Sequence, residues 1–270
     1  MSSPKPSGQP AHNPAFSGVA GSLARWVRKN QSNPLIKNVI KPLARKIMMP
    51  GWKKQSEEFF RSLVKPGDLV FDVGAHTGEK AELFLRAGAK VVCFEPQADL
   101  ASTMRQKFEG RKDVVVLEKG LSAEEGTIKF YLCPEDPTIA TASSEWKEGT
   151  FSDKAYSGEV EISVTTLEAM IREHGVPDFV KIDVEGFEIE VLRGLHRPLP
   201  LLSIEWAKDG LKNTFVCIDR LVELGFKEFN VSLGETGKFV FDEWVSADAL
   251  VSYLNGPLDQ IHWGDIYAKS

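Results

Sequence analysis

The sequence predicts an α/β fold in which helices cover both faces of a doubly wound, mostly parallel β-sheet. From about residue 56 onwards, short apolar segments alternate with segments of helical periodicity that are roughly ten residues long. The apolar segments are continuous, as in "LVFDV" at 69–73, whereas a strand with one solvated face alternates apolar and polar residues. Both patterns are typical of parallel strands that are buried on both sides and connected by helices.

The elements of this domain, residues 56–270, can be followed in chain order. Seven apolar segments are predicted to be the strands of the main sheet: DLVFDV, AKVVCFEP, DVVVLEKGL, DFVKIDV, LLSIEW, FKEFNVSL and DIYA. Apolar residues at helical spacing predict helices in EKAELFLRAG, ADLASTMRQKFEG, TTLEAMIREHG, FEIEVLRG and TFVCIDRLVELG. Thr165 or Thr166 is the expected N-cap of the third helix, because a threonine hydroxyl can accept a hydrogen bond from a free N–H group of the first turn.

A long insertion follows the third strand. It begins with "GTIKFYL", which is predicted to be an additional strand, and continues through 133–158. A connection of this length in a compact domain favours a lid or a binding loop. Its hydroxyl and aromatic side chains would suit a sugar ring, and they are Thr141, Ser143, Ser144 and Trp146.

The N-terminal part of the chain differs from this domain in composition and charge. Residues 1–18 are rich in Pro, Ser, Gly and Asn without periodicity, and are predicted to be disordered. Residues 19–55 are predicted to form a basic helical arm. Residues 1–54 contain ten of the 33 Lys and Arg residues and none of the 38 Asp and Glu residues. Such an arm is expected to contact an anionic membrane surface or a partner, or else to pack on the acidic body.

The composition argues against several classes of protein. The body carries an excess of acids, so it is not expected to bind nucleic acid. No apolar run approaches the roughly 20 residues that a membrane-spanning helix needs. The three cysteines have no CxxC spacing, which suits a reduced compartment and predicts neither a disulfide framework nor a thiolate metal site. A cytoplasmic location is expected, with peripheral membrane contact through the arm.

The first strand ends in Asp72 and is followed by two glycines, in "VFDVGAHTGEK" at 70–80. Ligands of doubly wound sheets bind beyond the carboxyl ends of the strands, and glycines there let the backbone approach a ligand closely. The dinucleotide fingerprint G-x-G-x-x-G does not match, because His76 and Glu79 occupy its second and third glycine positions. A dehydrogenase is therefore disfavoured.

The next strand ends in Glu95, where an acid can accept both hydroxyls of a ribose. Asp72 adds a second negative charge at the turn, which would suit an ammonium or sulfonium group better than a pyrophosphate. A ribose together with a cation describes S-adenosylmethionine. The alternative is that Asp72 only caps the following helix and that Glu95 is solvated.

Three stretches of the chain closely resemble the FkbM-type methyltransferase family: "FDVGAHTGEKAELFLRAGAKVVCFEPQ", "GLSAEEGTIKFYL" and "VTTLEAMIREHGVPDFVKIDVEGFEIEVLRGL". The resemblance implies a class I methyltransferase fold, S-adenosylmethionine as cofactor and a hydroxyl of a sugar, glycan or secondary metabolite as acceptor. His76 stands where members of this family commonly have Asn, and it is assigned a backbone role only. By position the cofactor would be held by Asp72, Gly74, Ala75, His76, Gly78, Glu95, Pro96, Gly120, Leu121, Ser122 and Asp183.

The reacting end is expected at two later strands that end in acids. Asp183 and Glu185 lie two residues apart in "KIDVEG", a spacing that puts both on one face of an extended segment, and Glu205 lies near the end of the later strand in "SIEW". A hydroxyl acceptor must lose its proton, which calls for a general base such as one of these three carboxylates. Glu185 has an alternative role at the N-terminus of the helix at 187–193. The three carboxylates could also hold a divalent cation through oxygen ligands, but no motif spacing demands one, so no metal ion is predicted.

Two other functions stay open at this level. The same carboxylates could position an amine for N-methylation. The chain could also be a non-catalytic partner that retains the fold and binds the cofactor in a biosynthetic complex. Neither the acceptor nor the oligomeric state can be read from the sequence.

Overall fold

The computed structural model describes residues 52–133, 139–144, 147, 156, 158–234, 236–256 and 263–270. The predicted disordered segment, the arm before residue 52 and most of the insertion, including Trp146, lie outside the described residues. In the described ranges, no helix is both long and apolar enough to cross a membrane.

The described residues form ten strands and seven α-helices. The strands are β1 (Leu69–Val73), β2 (Lys90–Phe94), β3 (Val114–Leu117), β4 (Gly120–Leu121), β5 (Gly126–Leu132), β6 (Gly158–Thr165), β7 (Phe179–Ile182), β8 (Leu201–Ala207), β9 (Glu228–Leu233) and β10 (Trp263–Lys269). The helices are α1 (Trp52–Leu63), α2 (Glu79–Arg86), α3 (Ala98–Lys107), α4 (Leu167–His174), α5 (Glu188–Arg193), α6 (Leu211–Leu224) and α7 (Ala247–Leu254). Thr166 is the N-cap of α4, where its side chain accepts a hydrogen bond from the N–H of Ala169.

Seven strands form the main sheet in the order β3-β2-β1-β7-β8-β10-β9. All neighbours are parallel except β10, which is antiparallel to both β8 and β9. This confirms the predicted seven-stranded, mostly parallel sheet. The chain runs outward from β1 to β3 and then returns to β7 on the other side of β1, so the carboxyl ends of β1 and β7 flank the point where the winding reverses.

Apolar side chains cover both faces of this sheet, which is why the strand segments are continuously apolar. On one face an aromatic cluster joins α1, α2 and the sheet through Phe60, Phe84 and Phe179. Their ring centroids are 5.0 and 5.6 Å apart in edge-to-face pairs. On the other face α4 to α7 pack on β7 and β8, where Ile182 and Leu202 are fully buried.

The structure differs from the sequence-based elements at four places. The segment predicted as a third strand is divided, because Gly120 and Leu121 leave the main sheet and pair with β6. Strand β6 was not predicted, and it forms a second sheet in the order β4-β6-β5. Helix α7 was not predicted either. Helix α1 runs across the expected boundary between arm and domain at 55/56, and the domain division itself stays a prediction.

Candidate active site

The loop between β1 and α2 is held in place by its glycines. Gly74 has φ +80°, and a Cβ on it would lie 1.8 Å from the backbone oxygen of Asp183. Gly78 has φ +71°, and a Cβ there would lie 2.8 Å from the ring of Phe108. The two glycines are therefore required by neighbouring parts of the protein, namely the segment after β7 and helix α3 with its C-terminal end. His76 adopts φ 51° without being a glycine.

Glu95 joins the ends of β1 and β2. One of its carboxylate oxygens accepts the N–H of His76 and the other accepts the N–H of Gln97, both at 2.9 Å. The side chain is buried, and burial raises its pKa against the opposing effect of these two hydrogen bonds. The alternative of a solvated Glu95 is therefore wrong. Each carboxylate oxygen has a second lone pair, so Glu95 can still accept hydroxyl groups from a ligand.

An apolar cleft lies beside Glu95. It comprises about 350 Å³, including space open to solvent, and four of the predicted cofactor residues line it: Gly74, Pro96, Gly120 and Leu121. Its opposite wall comes from β5 and β6 through Ile128, Phe130, Ile162 and Val164. Sequence reasoning missed this wall because β6 was not predicted. Ser122 does not line the cleft, and its N–H donates to the backbone oxygen of Thr165.

The three predicted catalytic carboxylates converge. One carboxylate oxygen each of Asp183, Glu185 and Glu205 lies within 4.8 Å of the other two. The predicted reason was wrong, however, because β7 ends at Ile182 and the following segment is not extended. Glu185 has φ 52° in a turn, and this turn brings its side chain to the others.

A buried lysine pairs with one of these carboxylates, so their pKa values shift in opposite directions. Lys181 is only 3% exposed, and its Nζ lies 2.5 Å from an Oδ2 oxygen of Asp183. Burial by itself would raise the pKa of Asp183, but the charge and hydrogen bond of Lys181 hold that pKa below its usual value. Burial and the charges of Asp183 and Glu185 raise the pKa of Glu205 far above its usual value. Asp183 and Glu205 also share a hydrogen bond, which further lowers the pKa of Asp183.

Further charged groups surround this pair. Asp72 is 1% exposed, burial raises its pKa to about 6, and its Oδ2 has no hydrogen-bond partner among the described residues. Asp265 of β10 stands opposite Glu205, and burial raises its pKa as well. Lys80 lowers the pKa of both aspartates by its charge. Sequence reasoning missed Lys80, Lys181 and Asp265, because nothing local to them indicates that three separate segments meet.

The role considered for Glu185 at a helix N-terminus belongs to Glu188. The Glu188 carboxylate accepts the N–H groups of Val184 and Gly186 at 3.2 and 3.1 Å, and it is 4% exposed. Burial raises its pKa to about 7. The Glu185 carboxylate lies in the cluster with Asp183 and Glu205 instead.

The described part of the insertion contacts this turn. The hydroxyl of Thr141 donates to the backbone oxygen of Glu185 at 2.7 Å and accepts the N–H of Ser143 at 2.8 Å. Thr141 is fully buried, so its predicted role as a hydroxyl for a sugar ring is wrong. Its neighbour Ala142 lines the apolar cleft.

These features can be tested against the cofactor that the sequence implies. A buried carboxylate at the end of β2 suits a ribose, the apolar cleft beside it suits an adenine, and the anionic residues beyond Gly74 suit a cationic sulfonium. The site therefore fits S-adenosylmethionine. The carboxylate cluster does not by itself specify a metal site, because Asp183 is already paired with Lys181.

Known proteins share this part of the chain. The profile of the family described as "Methyltransferase FkbM domain" matches residues 72–228, more than half of the chain. Hexuronic acid methyltransferase AglP of Haloferax volcanii is 30% identical over 136 residues, which cover 49% of this chain and 52% of that protein. Methyltransferase sdnD of Sordaria araneosa is 28% identical over 47% of this chain and 60% of that protein. The 2-O-methyltransferase NoeI of Sinorhizobium fredii is 25% identical over 49% of this chain and 59% of that protein. The matches thus span little more than half the length of these relatives.

Proposed function

Since the chain belongs to the family of FkbM methyltransferases, we propose that it is an S-adenosylmethionine-dependent enzyme that methylates a hydroxyl group of a sugar, glycan or secondary metabolite. The observation that carries the proposal is Glu95. This residue directly follows β2, its buried carboxylate accepts the N–H of His76 in the glycine turn, and its chain neighbours Phe94 and Pro96 line the apolar cleft. A dinucleotide would need a pyrophosphate cradle in this turn, where the chain has His76 and Glu79 instead.

When bound, S-adenosylmethionine supplies an electrophilic methyl group on a sulfonium. Glu95 would accept the ribose hydroxyls, and the cleft wall of β5 and β6 would cover the adenine. The turn at 74–78 would border the methionine part. These are the places to which the resemblance assigns the cofactor, with Ser122 as the exception because it does not line the cleft.

The acceptor would bind at the carboxylates that follow β7 and at Glu205 in the last part of β8. A hydroxyl group needs a base to take its proton, and Asp183 and Glu205 form a hydrogen-bonded pair that can hold one. The names of two relatives, a hexuronic acid methyltransferase and a 2-O-methyltransferase, support a sugar as acceptor. The surplus of acids would repel a carboxylate at the methylated position, so it favours a hydroxyl or an amine over a carboxyl group.

An amine acceptor is the second candidate, and the same surplus of acids favours it. Carboxylates attract a protonated amine, which would then have to lose a proton before methyl transfer. Methyl-transfer assays with tritiated S-adenosylmethionine distinguish the two candidates. They require matched sugar panels in which hydroxyl, amino and carboxyl groups are exchanged at one position.

Cofactor binding can be tested before any acceptor is known. We expect calorimetry to detect binding of S-adenosylhomocysteine and none of NAD. Glu95→Gln should weaken that binding by about tenfold or more, because a hydrogen bond to a charged group contributes roughly 1.5–3 kcal/mol. Glu109→Gln is the matched control, since Glu109 is exposed and lies outside the site. Binding of NAD without S-adenosylhomocysteine, or equal affinity in both variants, would contradict the proposal.

A further inference from the structure

Lys181 occupies an unusual position for a lysine. It lies inside β7, the central strand beside the point where the winding reverses, and is 3% exposed. Its register partner on β1 is Asp72, and its Nζ contacts Asp183 at 2.5 Å. The negative charges of Asp183, Asp265 and Asp72 raise its pKa in spite of its burial, so Lys181 remains an ammonium.

The stability of the sheet does not by itself account for such a charge. Replacing a buried ion pair by apolar residues of similar volume is often neutral or stabilising, so a buried lysine is weak evidence for a purely structural role. The neighbours of Lys181 on β7 are Val180 and Ile182, which are fully buried in the apolar core. The Lys181 ammonium instead contacts Asp183, just beyond the carboxyl end of β7, where the protein carboxylates proposed to face the acceptor lie.

The ammonium makes the Asp183–Glu205 pair asymmetric. Asp183 forms the ion pair with Lys181, whereas the acidic groups Asp183, Glu185 and Asp265 raise the pKa of Glu205 and the charge of Lys181 opposes them only in part. Asp183 and Glu205 are linked by a hydrogen bond, and the ammonium group contacts only Asp183 of these two. The side chain of Asp183 is also 30% exposed, so it can reach a bound acceptor.

We propose that Lys181 is a positioning residue that fixes the charge and orientation of Asp183, so that Asp183 and not Glu205 takes the proton of the acceptor. The inference rests on the proposed function. In the reaction the acceptor oxygen forms a bond to the methyl carbon, and the carbon–sulfur bond breaks with its electron pair remaining on sulfur. The hydroxyl proton passes to a carboxylate oxygen of Asp183. Glu205 keeps its proton throughout and holds Asp183 by a hydrogen bond.

The charged groups that face this pair come from several elements. They are Asp72 of β1, Lys80 of α2, Lys181 of β7, Glu185 of the following turn, Glu188 of α5 and Asp265 of β10. Any titration of Asp183 therefore has to be assigned by single substitutions. Asp183→Asn and Glu205→Gln identify the two carboxyl resonances in a protein labelled with ¹³C at its side-chain carboxyl groups.

The test is a pH titration of these resonances by NMR in the full chain without acceptor. In the wild type we expect Asp183 to titrate below and Glu205 above the usual range of a carboxyl group. Lys181→Met should move the Asp183 titration up by about 1–3 pH units, the usual effect of an adjacent opposite charge. Lys181→Arg, which keeps the charge, should leave it near the wild-type position. A folded Lys181→Met protein with an unchanged Asp183 titration would overturn the proposal.

A second variant decides the matter if Lys181→Met does not fold. Asp183→Asn keeps Lys181 and removes the proposed fixed negative charge, so the Glu205 titration should fall by at least about 1 pH unit. No change in Glu205, or a wild type in which Glu205 loses its proton before Asp183, would also overturn the proposal. Binding of S-adenosylhomocysteine is measured on the same samples. If the wild type does not bind S-adenosylhomocysteine, the proposed function is contradicted, whereas the carboxyl titrations still test the role of Lys181.

Discussion

At the residue scale, a comparison of Gly74 with Gly110 distinguishes two reasons why a position requires glycine: a positive φ and the lack of space for a Cβ. Gly74 and Gly110 have nearly the same φ, +80° and +77°, but only at Gly74 would a Cβ meet another atom, the Asp183 oxygen at 1.8 Å. Gly110→Ala should therefore cost about 1–2 kcal/mol from left-handed strain alone. Gly74→Ala should cost more and should also abolish cofactor binding, since the segment with Asp183 must move away. Chemical denaturation and calorimetry measure both, and equal effects of the two substitutions would contradict this account.

Glu188 gives a pH dependence at the same scale. Its pKa is raised from 4.5 to about 7 in the folded protein. A raised carboxyl pKa contributes stability that is complete below pH 4.5 and is lost as the pH rises through 7. Glu188→Gln cannot lose a proton, so between pH 5 and 8 it should gain about 2–3 kcal/mol of unfolding free energy relative to the wild type. Denaturant unfolding across this range measures the difference, with Glu109→Gln as the exposed control. A difference that does not change with pH would contradict the prediction.

At the scale of elements, the insertion and the active-site turn are joined by one side chain. The Thr141 hydroxyl donates a hydrogen bond to the Glu185 carbonyl and accepts one from the Ser143 N–H, and the Thr141 backbone pairs with Tyr131 of β5. Thr141→Val removes the hydroxyl from a fully buried position and should leave that carbonyl unsatisfied, at a cost of about 1–3 kcal/mol. Thr141→Ser keeps the hydroxyl and loses only a methyl group. Hydrogen exchange of the Ser143 amide should be faster in Thr141→Val than in Thr141→Ser, and equal rates would show that the hydroxyl does not join the two elements.

At the scale of the whole molecule, the charge of the chain is strongly divided. The basic arm is expected to be a membrane-surface or partner-docking element that cofactor binding does not need. Each Lys or Arg near an anionic leaflet contributes on the order of 1 kcal/mol, so even a few engaged side chains would be measurable. Because α1 begins at Trp52, a truncated chain that starts at Gly51 keeps the helix whole. That chain should bind S-adenosylhomocysteine as the full chain does, and only the full chain should sediment with anionic vesicles at low salt. Loss of folding on truncation would instead make the arm a part of the body.

The elements of the fold that could be predicted are those with a recognisable pattern in their own residues. The strands of the main sheet are apolar segments because the sheet is buried on both faces. This pattern is visible within each segment, so each strand can be predicted from its local sequence. The places that were missed lack this property. Strand β6 mixes exposed and buried residues, with Glu159, Val160, Glu161 and Ser163 exposed and Ile162 and Val164 buried, and β4 is only two residues long.

The residues of the site show the same distinction between what the sequence predicts and what the tertiary structure determines. Asp72, Glu95, Asp183 and Glu205 could be found from the sequence, because the carboxyl ends of adjacent parallel strands must meet at one edge of the sheet. What the residues do there was decided only by the tertiary structure. Lys181 selects among the carboxylates, Asp265 arrives from the last strand, and Glu188 takes the helix position considered for Glu185. These outcomes depend on burial and on charges from distant segments, and a pKa or a proton position is set by that sum of surroundings, which no local stretch of sequence contains.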